Sequence, residues 1–312
     1  MDVNGLTWRA ALENGPATPV SLVFLGSPEP SASCLRLLAA AGHDVRLVIS
    51  EPDRRRGRGL GISPTPVKQA AIDLGLPVSE HLADALEAQA ELGVVVAFGR
   101  LIPKSVLARL DMVNVHFSLL PEWRGAAPIE RAILSGQRTT GVSIMKLEEG
   151  LDTGPVYASA EVPIAPEATL HHMRGLLAVE GSQLLLGLLH NGVAGLPAPV
   201  PQAGEATYAR KITAADRRVD WSAGAAAVER VVMIGGAWTT FRGRRAIISA
   251  AKATLGGNGR PGGIALSAAG QLLVSTSDGT IEVTEIQLEG RRRQAAAEWA
   301  RGARLLAGDA FA

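Results

Sequence analysis

Asn114 and His116 stand one residue apart in the run Met112-Val-Asn-Val-His-Phe117, and a carboxylate, Asp152, follows in the glycine-punctuated stretch Glu148-Glu-Gly-Leu-Asp-Thr-Gly154. Side chains alternate with period two along a strand, so the amide and the imidazole share a face and converge on one point. An amide donor beside a titratable ring suits the stabilisation of an oxygen that gains negative charge, and a carboxylate can hold the ring in orientation. Taken singly, a structural Asn, a satisfied core His and a surface-turn Asp are the commoner explanations. The pair placed ahead of the break Ser118-Leu-Leu-Pro121 favours chemistry.

Several other chemistries find no support. The turn Gly26-Ser-Pro-Glu-Pro30 lacks the glycine spacing of a dinucleotide fingerprint and carries prolines where backbone amides would be needed, and no glycine-rich loop leads into a Lys-Ser or Lys-Thr pair. His171 and His172 are adjacent, face different directions on a helix and have no cysteine partner, so no metal is expected.

The elements that must position the candidate residues are legible as hydrophobic patterns. Ser21–Gly26, Asp44–Ser50, Gly93–Gly99 and Met112–Phe117 read as strands, with helices through Leu35–Ala41 and Ala126–Gly136. These predict an α/β domain built on a doubly wound, mostly parallel sheet, which places ligands beyond the carboxyl ends of its strands. A helix over Thr169–Asn191 closes this domain, and Gly192–Glu205, with Pro197, Pro199 and Pro201, reads as a linker. Beyond it a helix at Ala223–Ile234 leads into strands at Arg245–Ser249, Gln271–Thr276 and Thr280–Thr284, then a helical Gln294–Leu306. A small β-barrel or sandwich is expected there. The resulting division is an extension at 1–19, a first domain at 20–205 and a second at 206–312.

The chain has 312 residues, 47% hydrophobic and 20% charged, which predicts a soluble globular protein able to bury a sizeable core. No apolar run approaches a membrane span, and Met1–Pro19 lacks the continuous apolar stretch of a signal peptide. One cysteine, Cys34, suits a reducing cytoplasm. The net charge of +1 argues neither for nor against nucleic acid, but arginines cluster at 54–58, 210–218, 242–245 and 291–293, making a phosphate-binding face worth testing.

Asn-x-His, Ser-Leu-Leu-Pro and the later Asp-Thr-Gly together resemble the site of the folate-dependent formyltransferases, and the resemblance runs from about Ser21 to near the end of the chain. It implies catalytic roles for Asn114, His116 and Asp152 and 10-formyltetrahydrofolate as formyl donor. Folate contacts are implied at Val96, Ala97, Phe98, Gly99, Ser118, Leu119, Leu120, Pro121, Glu149 and Gly150, though Leu119 and Leu120 also suit a core. Within the family, Glu51–Gly59, Ser63–Lys68, Trp123–Pro128, Gly141–Met145, Tyr208–Ile212, Val219–Trp221 and Ala237–Arg242 are similar to members acting on initiator methionyl-tRNA. That similarity implies tRNA contacts at Arg54, Arg55, Arg56, Arg58, Arg210 and Lys211, an OB-like β-barrel as second domain, and a monomer.

The chain departs from the family pattern at Phe117, where a small residue is common, at Glu122, where a basic one is, and over Gly59–Ile62, which lacks the usual lysines. Phe117 should point to the face opposite His116. Two rival readings are a formyltransferase for a small amine or amino-sugar nucleotide, which the basic insertion disfavours, and a non-catalytic tRNA-binding protein, which the intact triad disfavours. Folate hydrolysis would use the same residues.

Overall fold

The computed structural model describes residues 16–55, 61–254, 256 and 259–312. β1 (Ser21–Gly26) is buried at every position, as expected of a strand covered on both faces. α1 (Glu29–Ala40) opens on prolines, and β2 (Asp44–Ile49) returns parallel to β1. A two-residue pairing of β3 (Arg54–Arg55) with β4 (Ile62–Ser63) precedes α2 (Pro66–Asp73), whose first turn is capped by the Thr65 hydroxyl. β5 (Val78–Ser79) forms one sheet edge.

β6 (Leu92–Val96), α3 (Lys104–Leu107) and β7 (Met112–His116) continue the parallel winding. The short β8 (Arg124–Gly125) and α4 (Pro128–Ser135) lead to β9 (Thr139–Lys146) and β10 (Val156–Pro163), which add antiparallel strands beside β7. α5 (Leu170–Leu189) and β11 (Tyr208–Ala209) follow. The seven-stranded order is β10-β9-β7-β6-β1-β2-β5, a mixed α/β sheet rich in parallel pairs. β6 stops at Val96, short of the predicted Gly99, because Ala97 and Gly99 adopt φ of +45° and +77°, which no strand accommodates. No helix among the described residues is long and apolar enough to cross a membrane.

The chain divides into two compact units. The first runs to Ile129 and resumes over Thr139–Pro163 and His171–Arg210; the second comprises Glu130–Arg138, Ile164–Leu170 and Lys211–Ala312. In the second unit α6 (Ala225–Met233) precedes β12 (Ala237–Phe241), β13 (Arg244–Thr254), β14 (Ile264–Leu266), β15 (Leu272–Ser275), β16 (Thr280–Leu288), β17 (Gln294–Ala295) and α7 (Ala296–Ala303). The strands form an antiparallel path β12-β13-β16-β15-β14, with β17 on β16. The barrel expected from the sequence is not a closed ring of strands: among the described residues the path ends at β12 and β14. Both ends instead meet one segment, Phe311 bridging Phe241 and Ala310 bridging Gly263.

Within the largely aliphatic core of the second unit, Trp221, Phe241, Trp299 and Phe311 form an aromatic cluster. Phe241 and Trp299 pack edge to face with centroids 5.0 Å apart, and Phe311 stacks on Trp221 and Trp299 at 5.7 and 5.8 Å.

Candidate active site

β7 carries Asn114 and His116 to its carboxyl end, both on the face away from α5, where Val115 lies near Gly181. Both are buried, at 8% and 5% exposure. Among the described residues no hydrogen-bond partner engages the Asn114 amide. The amide is not one of the fully enclosed polar groups without a partner, so it can meet a bound molecule at the strand end.

His116 has a defined setting. Its Nε2 lies 3.0 Å from the Trp123 carbonyl, which can only accept, so Nε2 carries the proton. Its Nδ1 faces Asp152 Oδ2 at 3.7 Å, beyond hydrogen-bond length but within ion-pair reach. The Asp152 carboxylate is fixed from the other side by the Gly125 N–H, 2.7 Å away.

The loop bearing Asp152 is held in an uncommon conformation. Asp152 has φ of +50°, and a Cβ on Gly154 would lie 1.9 Å from the Lys146 carbonyl oxygen, so only glycine lets the loop fold back on β9. Trp123 at +56° and Ala97 at +45° are also left-handed. Non-glycine residues in this region cost energy and concentrate at functional sites, and three of them meet the candidate residues here.

The predicted folate contacts separate into buried and exposed sets. Val96 is buried and its carbonyl accepts from Ser31 Oγ at 2.6 Å; Phe98 is buried; Ala97 and Gly99 are exposed. Ser118 is fully buried, its hydroxyl donating to the Glu122 carbonyl at 2.5 Å, so it organises the turn. Leu119 is half-buried against Gly141, and Leu120 is half-buried, its N–H donating to Ser143 Oγ at 3.1 Å. Pro121, after a cis peptide, accepts from Thr207 N at 3.3 Å. Glu149 and Gly150 are exposed, and Lys104 reaches Glu149 at 2.8 Å, joining the start of α3 to the loop before Asp152. A cleft of about 420 Å³ opens beside Ala97–Gly99, lined also by Ser27, Pro28, Glu29, Glu51 and Pro66.

Of the predicted tRNA contacts, Arg54 is exposed and lies 3.2 Å from Glu51, while Arg55 pairs through its backbone with Ile62. Arg56 and Arg58 lie outside the described residues. Arg210 and Lys211 are exposed. At the foot of the basic segment the Lys68 ammonium sits 2.8 Å from Asp53 and 3.2 Å from Glu80, and these carboxylates hold it charged above the usual lysine range. Burial pushes the Cys34 thiol up to about 11, away from any nucleophilic role near neutral pH.

Four residues that shape the site were not singled out in the sequence. Ser143 accepts from Leu120 N and donates to the Ser118 carbonyl at 2.8 Å. Trp123 contributes its carbonyl, Thr207 accepts from Trp123 N at 2.8 Å, and Gln202 bonds the Asp152 loop. Only their spacing to the motifs in three dimensions reveals them. Among the described residues no cluster of three or more His, Cys, Asp or Glu could hold a metal ion.

Residues 21–189 match the formyl transferase family, and residues 211–304 match formyl transferase, C-terminal domain. The chain is similar to the methionyl-tRNA formyltransferase of Acidothermus cellulolyticus, 41% identical over 321 residues, covering 93% of this chain and 99% of that one. It is also 41% identical over 297 residues to the methionyl-tRNA formyltransferase of Paracoccus denitrificans, covering 90% and 97%. Among solved structures, the N-formyltransferase from Helicobacter canadensis in complex with folinic acid and dTDP-3-aminofucose has a TM-score of 0.67 at 16% identity, over 86% of this chain and 100% of that one. HypX from Aquifex aeolicus in complex with tetrahydrofolic acid has a TM-score of 0.66 at 20% identity, over 91% of this chain and 47% of that one. At these identities the structural likeness is one of fold.

Proposed function

Because the chain belongs to the methionyl-tRNA formyltransferase family, we propose that it transfers the formyl group of 10-formyltetrahydrofolate to the α-amino group of initiator methionyl-tRNA. The observation that supports the catalytic reading is His116 facing Asp152 at 3.7 Å, with Asn114 buried on the same face of β7.

10-Formyltetrahydrofolate supplies the formyl group on N10, and the exposed backbone at Ala97 and Gly99, next to a buried amide donor, fits a co-substrate rich in hydrogen-bonding edges. The acceptor's α-amino group titrates near ~8, so a useful fraction is neutral at physiological pH and no strong base is needed. Asn114 donates to the formyl oxygen as negative charge develops on it. His116 keeps its Nε2 proton on the Trp123 carbonyl and turns its Nδ1 edge to Asp152, which sets the ring beside the reacting centre. A donor such as Asn114 contributes about 3 kcal/mol. Asp152 keeps the ring oriented, accepts the proton leaving the amine and passes it toward the departing folate nitrogen, a role worth about 100-fold or more.

Arg54, Arg55, Arg56, Arg58, Arg210 and Lys211 are assigned to tRNA phosphates, which position the acceptor end without reading its sequence. The second unit is read as an OB-like tRNA-binding barrel, supported by the single bridges that residues 311 and 310 make to Phe241 of β12 and to Gly263, just before β14. The same reading places a monomer acting in the cytoplasm.

The test is formyl transfer from 10-formyltetrahydrofolate to purified charged initiator tRNA, with uncharged tRNA, free methionine and small amines alongside. Rapid formylation of charged tRNA alone is expected. Transfer only to a small amine would replace this reading with that of a small-molecule formyltransferase.

A further inference from the structure

The segment after α5, read from its prolines as a linker, is bonded into the active-site loop. Trp123 N donates to Thr207 Oγ1 at 2.8 Å and Arg124 N to the Thr207 carbonyl at 2.9 Å; β8 and β11 pair in parallel, and Ala126 N donates to the Ala209 carbonyl at 2.9 Å. Within this strap Gln202 uses its whole amide. Its NH₂ donates to the carbonyls of Asp152 and Gly154, both at 2.8 Å, and its oxygen accepts from Arg124 Nε and Nη2 at 3.1 and 2.7 Å. The guanidinium on one side and two carbonyls on the other fix which end is oxygen and which nitrogen.

We propose that Gln202 is a positioning residue for the transfer reaction: by joining Arg124 to the Asp152 loop it sets the Asp152 carboxylate against His116. Gln202 touches no reacting atom. Asp152 holds an unfavourable left-handed backbone, and the amide bonds the carbonyl of that very residue. The other end of the amide holds Arg124, whose neighbour Gly125 supplies the N–H that fixes the carboxylate at 2.7 Å. One side chain thus anchors both the strained loop and the donor that faces it, and losing it lets the carboxylate and the imidazole drift apart. A misplacement of about 1 Å at a reacting group costs on the order of 100-fold in rate.

The inference rests on the reading of Asp152 as catalytic, so the test includes Asp152→Asn. Steady-state transfer to charged initiator tRNA is measured for the full chain, for Gln202→Leu, Gln202→Glu and Asp152→Asn, and for the double variant Gln202→Leu/Asp152→Asn, with melting temperatures for each. Gln202→Leu is expected to lower kcat about 10- to 100-fold, with KM for folate and for tRNA within about threefold. Gln202→Glu keeps the size and the Arg124 contact but has no N–H for the two carbonyls, and is expected to fall similarly. It decides the matter if the leucine variant fails to fold.

A residue acting through Asp152 adds little once Asp152 is gone, so the double variant should match Asp152→Asn. A merely structural role would instead lower activity independently in both backgrounds. Near-normal kcat in Gln202→Glu, or fully additive losses in the double variant, would overturn the proposal while leaving Asp152 in place. Near-normal kcat in Asp152→Asn would overturn the catalytic reading itself.

Discussion

Val115 lies against Gly181 of α5 with Phe117 close behind, while Asn114 and His116 take the other face of β7. The bulk at Phe117, the chain's departure from a usually small residue, is therefore spent in the core and does not narrow the site. Asn114 presents the complementary situation, a buried polar side chain that bonds nothing in the protein. Truncating it breaks no native hydrogen bond, so Asn114→Ala should leave the melting temperature within about 2 °C. It should also cut kcat by about 10²- to 10³-fold, the usual consequence of removing a donor to a developing oxyanion. Differential scanning calorimetry and single-turnover transfer measure the two effects separately. A large fall in stability with little change in rate would mean that the amide serves the fold. Asp152→Asn, which keeps shape and removes charge, should abolish most turnover while folate and tRNA affinity stay nearly intact.

Among the elements, those with a local signature were readable and those built by distant partners were not. β1, β2 and β7 announce themselves as short apolar runs, and α5 as a long helical pattern, because burial on both faces leaves a continuous hydrophobic imprint. β9 was quoted only as a motif; Gly141 and Ser143 interrupt its pattern, although Gly141 is where Leu119 packs and Ser143 holds the Ser-Leu-Leu-Pro turn. The bonds of Gln202 and Thr207 were not legible for the same reason: prolines mark irregular backbone, but nothing local says that these two residues bond others far back in the chain. Asn114, His116 and Asp152 were legible because two share a strand and the third a glycine-rich loop. The Trp123 carbonyl was not, since a backbone group leaves no trace in residue type. The basic segment after β2 is an element whose meaning is electrostatic. Replacing Arg54, Arg55, Arg56 and Arg58 by glutamine should raise KM for tRNA about 10-fold or more and flatten its dependence on salt, because fewer phosphate contacts release fewer counterions. KM for folate should not move. Equal loss toward both substrates would show that the segment shapes the site rather than holding tRNA.

For the whole molecule the net charge of +1 leaves little global self-repulsion, so the pH dependence of stability falls to particular groups. Asp216 in the second unit is held far below the usual carboxylate range, first by its bond to Arg131 at 2.7 Å and then by Thr213. Glu91 in the first unit is lowered by the Ser21 N–H and hydroxyl. Both stabilise the fold above the ordinary carboxylate range and lose that contribution progressively as pH falls from that range through their lowered native values. His43 acts in a different window. It is buried, its Nδ1 accepts from Val20 N at 3.3 Å, its Nε2 meets no partner, and burial holds its protonation below the usual histidine range. The unfolded chain therefore binds a proton at His43 before the native chain does, and the slope of unfolding free energy with pH is positive there. Stability contributed by neutral His43 is full above about 6.5 and declines as pH falls below it, well before the carboxylates respond. Urea unfolding of the full chain at pH of about 7.5, 6.5 and 5.5 should show this decline. His43→Gln keeps an acceptor for Val20 N but cannot titrate, so its curve should be flatter over the same interval, even if it starts lower. The same slope in both proteins would place the acid sensitivity elsewhere.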